Sequence, residues 1–136
     1  MKLKSLTICL TLGVLLLTLV STLRADPPDW KVTTGHQYAM VVYAVVIDAS
    51  GSPMTNEGSL LSVSEYGSLV GVTPISNGPK GALYQLKVAS DNWESDLNYS
   101  FYDALSDKVI ELGAGPGFVS GSTVGSIVEP ITLTQK

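Results

Sequence analysis

The sequence predicts an all-β protein, an antiparallel, immunoglobulin-like β-sandwich of seven or eight short strands. Three observations carry this. Runs rich in Val, Ile, Tyr and Thr recur about every 8 to 12 residues, with Gly, Pro, Asn and Ser between them. Several runs alternate apolar and polar residues, as a half-buried strand does. No stretch sets apolar residues at helical spacing between capping residues.

Residues 1–25 stand apart from this pattern. Lys2 and Lys4 make a positive start, Leu6 to Val20 is an apolar run, and Ala25 supplies a small residue before Asp26-Pro27-Pro28. That is the layout of a secretory signal peptide cut after Ala25, with a cut after Thr22 as the alternative. The apolar run falls short of the roughly 20 residues of a membrane span, which disfavours an uncleaved anchor. Residues 26–136 then form one domain, too short for two.

The remaining elements follow in order. Asp26 to Thr34 is a polar lead-in, stiffened by Pro27-Pro28 and carrying Trp30. Gln37 to Asp48 reads QYAMVVYAVVID and predicts a long strand. Tyr38, Met40, Val42, Ala44 and Val46 share one face; Ala39, Val41, Tyr43, Val45 and Ile47 share the other. Both faces are apolar, so either both are covered or one is a partner surface. Ala49 to Pro53 is a turn cluster, and strands are expected over 59–66 and 68–74. Ser76 to Gly81 reads as a long turn. Ala82 to Ala89 alternates, with Tyr84, Leu86 and Val88 on one side and Leu83, Gln85 and Lys87 on the other. Ser90 to Asp96 reads as a polar loop holding Trp93. Short strands are expected at Phe118-Val119, over 124–128 and over 131–134.

The stretch LNYSFYDALSDKVIEL, Leu97 to Leu112, reads as a hairpin. Leu97, Tyr99 and Phe101 share its inward face, and burying the two rings contributes about 2 to 3 kcal/mol each. Asp103 and Asp107 flank the reversal. A carboxylate pair could do acid–base work, but aspartates at a turn bond their own backbone, and the turn reading is preferred.

On these stretches the chain resembles a β-sandwich repeat module of large secreted bacterial cell-surface proteins. NYSFYDALSDKV is similar to the module's hairpin, DPPDWKV to its start, and YAMVVYAVVIDASG to its first long strand. GSLVGVTP, LYQLKVASDN and VGSIVEPITLT are similar to its later segments. The resemblance implies a sandwich fold and an extracellular or cell-surface role, and it assigns no ligand. This chain departs from the pattern in being a lone module with its own signal peptide, and in carrying Leu69-Val70 where the module has a basic residue before Gly71.

Composition narrows the chemistry. The only cysteine, Cys9, lies in the signal segment, so the remaining chain has no disulfide, thiolate metal site or cysteine nucleophile. Loss of Lys2, Lys4 and Arg24 takes the basic count from 8 to 5 against 12 acids, a net charge of −7 with no arginine. That disfavours nucleic acid as a partner. His36, the only histidine, sits in the lead-in with no nucleophile elbow anywhere, so a triad is not expected. The run Gly113 to Gly117 lacks the Lys and the helix of a phosphate loop. No cofactor is expected; Asp91, Glu94 and Asp96 offer a weak case for a structural Ca²⁺.

The sequence therefore points to a secreted, non-catalytic module, placed in the periplasm, outside the cell or on its surface. It would serve extracellular adhesion, surface structure or protein–protein interaction. The interface would lie on Ala39, Val41, Tyr43, Val45 and Ile47, and the partners include a second copy of the chain. The alternative is a carbohydrate-binding module using Trp93, Tyr102 and Trp30 as stacking rings for polysaccharide. An enzyme is the third class, disfavoured because no competent nucleophile, base and metal set can be assembled.

Overall fold

A computed structural model describes residues 27–136. The signal peptide expected over residues 1–25, and Cys9 with it, lies outside the described residues. The strands are β1 (Tyr38–Ile47), β2 (Leu60–Glu65), β3 (Ser68–Pro74), β4 (Ser76–Gly78), β5 (Gly81–Ser90), β6 (Glu94–Ser95), β7 (Asn98–Asp103), β8 (Lys108–Glu111), β9 (Phe118–Val119), β10 (Thr123–Val124) and β11 (Ile131–Thr134). No helix occurs among the described residues.

The strands form a β-sandwich. One sheet runs β10-β1-β5-β4, with β11 also on β1; the other runs β3-β2-β7-β8. A two-stranded ribbon, β6 with β9, sits beside them. β1 pairs antiparallel with β5, from Tyr38 opposite Ser90 to Ala44 opposite Tyr84. Its alternation sorts by burial as the pleat requires: Met40, Val42, Ala44 and Val46 are buried, while Val41, Tyr43, Val45 and Ile47 are half-buried. The inward set meets Tyr84, Leu86 and Val88 of β5, Leu61 and Val63 of β2, and Tyr99 and Phe101 of β7 in one core. Tyr84 and Phe101 meet edge to face at 5.6 Å, and the Tyr84 hydroxyl donates to the Met54 carbonyl at 3.1 Å.

Four features differ from the sequence reading. The expected antiparallel arrangement breaks at the far edge of β1, where β10 and β11 both run parallel to it. Val42 faces Val124 and Ala44 faces Ile131, so residues 125–130 are an excursion inserted opposite Tyr43 alone. The strand expected over 124–128 is thus Thr123–Val124, because Ser126 and Glu129 close a turn through paired bonds of 2.9 and 3.0 Å. The long turn over 76–81 holds β4, which folds onto β5 through Pro79-Lys80. The loop over 90–96 holds β6. Leu83 points away from the core yet is 5% exposed, because β4 and Ile127 close over it: a Cβ on Gly78 would lie 2.4 Å from Leu83 and 3.4 Å from Ile127.

Two glycines permit close approaches across the core. A Cβ on Gly71 would sit 2.6 Å from the Lys87 carbonyl oxygen, so β3 can approach β5 only there. Residues 113–117 cross between the sheets, and a Cβ on Gly115 would sit 2.6 Å from the Tyr99 ring. That ring is held by its hydroxyl, which donates to the Pro116 carbonyl at 2.7 Å.

Candidate functional site

The outward face of β1 keeps the character its sequence gives it. Val41, Tyr43, Val45 and Ile47 are half-buried and Ala39 is exposed. Across the sheet, Gln85 and Lys87 face Tyr43 and Val41, and Thr132 and Thr134 face Val45 and Ile47. The 125–130 excursion adds Ile127 and Val128, 45% and 49% exposed. The charged residues beside the strip are Lys87 opposite Val41, Lys80, which lines a depression with Val45 and Ile47, and the exposed Glu129 of the excursion. The face is a strip of half-buried apolar side chains, and the 125–130 excursion covers part of it, since Ile127 reaches Leu83 and Gly78 on its far side.

The three predicted stacking rings part company. Trp93 is 65% exposed. Trp30 is half-buried in the lead-in. Tyr102 is buried, which corrects its expected role as an exposed platform. It lies between Leu60 and Val109 on adjacent strands, and its hydroxyl donates to Asp107 Oδ1 at 2.9 Å. Its partner at the turn, Asp103, accepts from the Leu105 amide at 3.2 Å and the Ser106 hydroxyl at 2.8 Å. Asp103 bonds the backbone two residues on, as the turn reading expects, whereas Asp107 holds the Tyr102 hydroxyl across the hairpin.

Trp93 belongs to a polar assembly that the sequence did not disclose. Glu65, the last residue of β2, is 7% exposed. One carboxylate oxygen accepts from the Ser90 hydroxyl at 2.6 Å and from the Ser95 hydroxyl; the other accepts from the Asn92 amide at 3.3 Å. Burial pushes this carboxyl up, but the bonds from Ser90, Ser95 and Asn92 and the nearby His36 outweigh it. The net effect holds it below its ordinary value. Glu65 thereby pins both ends of the loop that carries Trp93. The indole meets Tyr38 edge to face at 5.1 Å, and the Trp93 carbonyl accepts from the Ser120 amide at 3.0 Å.

Glu65 pairs with Ser68 across a two-residue turn, Tyr66-Gly67. Both turn residues have positive φ, 49° and 81°. This is the mirror-image turn that suits twisted hairpins and favours Asn-Gly. Tyrosine at the first position is strained, and its ring is 77% exposed. The ring borders an open depression of about 470 Å³ with Glu94, Asp96, Gly117, Phe118 and Val119. An aromatic just before the Gly of a tight turn is the signal that could have marked Tyr66 from sequence. Glu65 could be found only from its tertiary partners.

His36 is not a plain surface residue. Its Nδ1 lies 3.2 Å from Asp91 Oδ2 and its Nε2 lies 2.7 Å from Thr33 Oγ1. The order resembles a hydroxyl–imidazole–carboxylate triad, but Thr33 Oγ1 also donates to the Leu69 carbonyl at 3.1 Å. Asp91 accepts the Gln37 amide at 3.0 Å as well. The group is a clasp that ties the lead-in to β3 and to the end of β5. It also turns Asp91 toward His36 and Gln37. Among the described residues no three His, Cys, Asp or Glu side chains gather as a metal site, so the Asp91, Glu94 and Asp96 grouping does not assemble there.

No family, curated protein or solved structure matches the chain.

Proposed function

We propose that this chain is a secreted, non-catalytic module that works by protein–protein contact, in extracellular adhesion or surface structure. The observation that supports this best is the outward face of β1. Val41, Tyr43, Val45 and Ile47 make a half-exposed apolar strip on the outer side of the sheet, beside the 45% exposed Ile127. Exposed apolar surface of this kind is retained where a partner covers it. A strip whose charged residues, Lys80, Lys87 and Glu129, lie beside its apolar side chains rather than among them suits a partner of the same apolar character, and a second copy of this chain supplies one.

The test is the mass of the protein in solution by light scattering over a concentration series. Mass rising above the monomer with concentration is expected, and Val45→Lys should abolish the rise without lowering the melting temperature by more than a few degrees. A monomer at every concentration would overturn self-contact as the mode of binding.

A further inference from the structure

We propose that Tyr66 and Trp93 form a binding site for a neutral polysaccharide, using residues other than those of the β1 face. Four observations converge on it. The two rings are the most exposed aromatic side chains of the described domain, at 77% and 65%. Tyr66 gains little burial, and Trp93 keeps most of its surface in water while meeting the Tyr38 ring edge to face.

The second observation is strain. Tyr66 holds φ at 49° in a turn whose geometry favours asparagine or glycine. An exposed ring kept where the backbone disfavours it is a cost to stability with no return inside the domain. The third is rigidity. The buried Glu65 carboxylate is bonded to Ser90, Asn92 and Ser95 on both sides of Trp93, and Glu65 immediately precedes Tyr66. One side chain thus holds the Trp93 loop and the end of the strand that leads into Tyr66 before any ligand arrives, which lowers the ordering cost of binding.

The fourth is the lining of the depression beside Tyr66. Glu94, Asp96 and Val119 are exposed there, over the buried Phe118. Aromatic faces take the C–H faces of sugar rings, and carboxylates accept bonds from their hydroxyls. Two carboxylates and no lysine in the lining repel phosphate, sulfate and uronic acid groups. The chemistry that fits is a neutral, hydroxyl-rich chain. The depression is open rather than enclosed, which suits the side of a polymer.

Co-sedimentation of the full chain with cellulose, chitin, xylan and mannan tests this, with polygalacturonate as the acidic control. Depletion by at least one neutral polymer is expected, and none by polygalacturonate. Trp93→Ala and Tyr66→Asn should each weaken that binding about tenfold, the scale of one lost stacking contact. Tyr66→Asn should raise the melting temperature while it weakens binding, which separates loss of ligand contact from loss of fold. The proposal is overturned if none of the four neutral polymers depletes the protein. It is equally overturned if both variants bind like the parent, if polygalacturonate is preferred, or if Tyr66→Asn lowers the melting temperature. These outcomes leave the light-scattering result untouched, so this site and the β1 face stand or fall separately.

Discussion

Glu65→Gln is the most informative single perturbation of this domain. The substitution keeps the shape of the side chain and removes its charge. In the parent, one carboxylate oxygen accepts from the hydroxyls of Ser90 and Ser95 and the other accepts from Asn92. A hydrogen bond to a charged acceptor contributes about 1.5 to 3 kcal/mol, and one between neutral groups about 0.5 to 1.5 kcal/mol. Glutamine can keep its oxygen on the two serines, so each of those bonds weakens by about 1 kcal/mol. Its amide then faces the Asn92 amide, donor to donor, until Asn92 turns over. The sum is about 2 kcal/mol, or about 8 °C in melting temperature for a domain of this size.

The pH dependence follows from the carboxyl's lowered value. Its folded-state pKa lies below the unfolded one, for which 4.5 is the ordinary value. Its stabilisation is therefore fully present above that value and is lost as pH falls through the lower folded value. Thermal melts of parent and variant should differ by about 8 °C at pH 7, and the gap should close below pH 4.5. The reasoning is refuted if the two melt within about 2 °C of each other at pH 7. A gap that stays constant through the acid range would refute it as well.

Three further outcomes are expected. Gly115→Ala places a methyl 2.6 Å from a Tyr99 ring that its own hydroxyl bond to Pro116 holds in place, so it should cost about 1 to 3 kcal/mol in denaturant melts. Gly71→Ala should cost more than Gly115→Ala in the same melts. Its Cβ meets the Lys87 backbone oxygen at 2.6 Å, and a strand carbonyl cannot swing aside as a ring can. His36→Ala should speed hydrogen exchange at the Thr33 and Gln37 amides, which the clasp protects, while the amides between β1 and β5 keep their protection.

Much of the fold was legible because strand alternation is written residue by residue. β3 occupies the expected Ser68–Pro74, and the inward faces of β5 and β7 follow their alternation. What alternation could not supply is which of two apolar faces of β1 is inside. That depends on the second sheet, and the answer is Met40, Val42, Ala44 and Val46. The parallel pairing of β10 and β11 was equally out of reach, since two- and four-residue strands carry no direction in their sequence. Tyr102 shows how an outward position becomes buried when Leu60 and Val109 flank it on both neighbouring strands.

The candidate sites divide in the same way. The β1 face could be read from one contiguous run. Trp93 could be suspected as an aromatic in a polar loop. Tyr66 carried only the signal of an aromatic before the Gly of a tight turn, and Glu65 carried none, because its partners stand 25 to 30 residues further along the chain. The clasp of Thr33, His36 and Asp91 likewise spans 55 residues between imidazole and carboxylate.

The central claim is that the apolar outward face of β1 is a contact surface for another copy of the chain. Light scattering over a concentration series measures this directly. A mass that rises above the monomer, rises further with added salt as the repulsion between acidic copies is screened, and returns to the monomer in Val45→Lys is the predicted result. A monomer at all concentrations and salt levels, or association that Val45→Lys leaves unchanged, would contradict it.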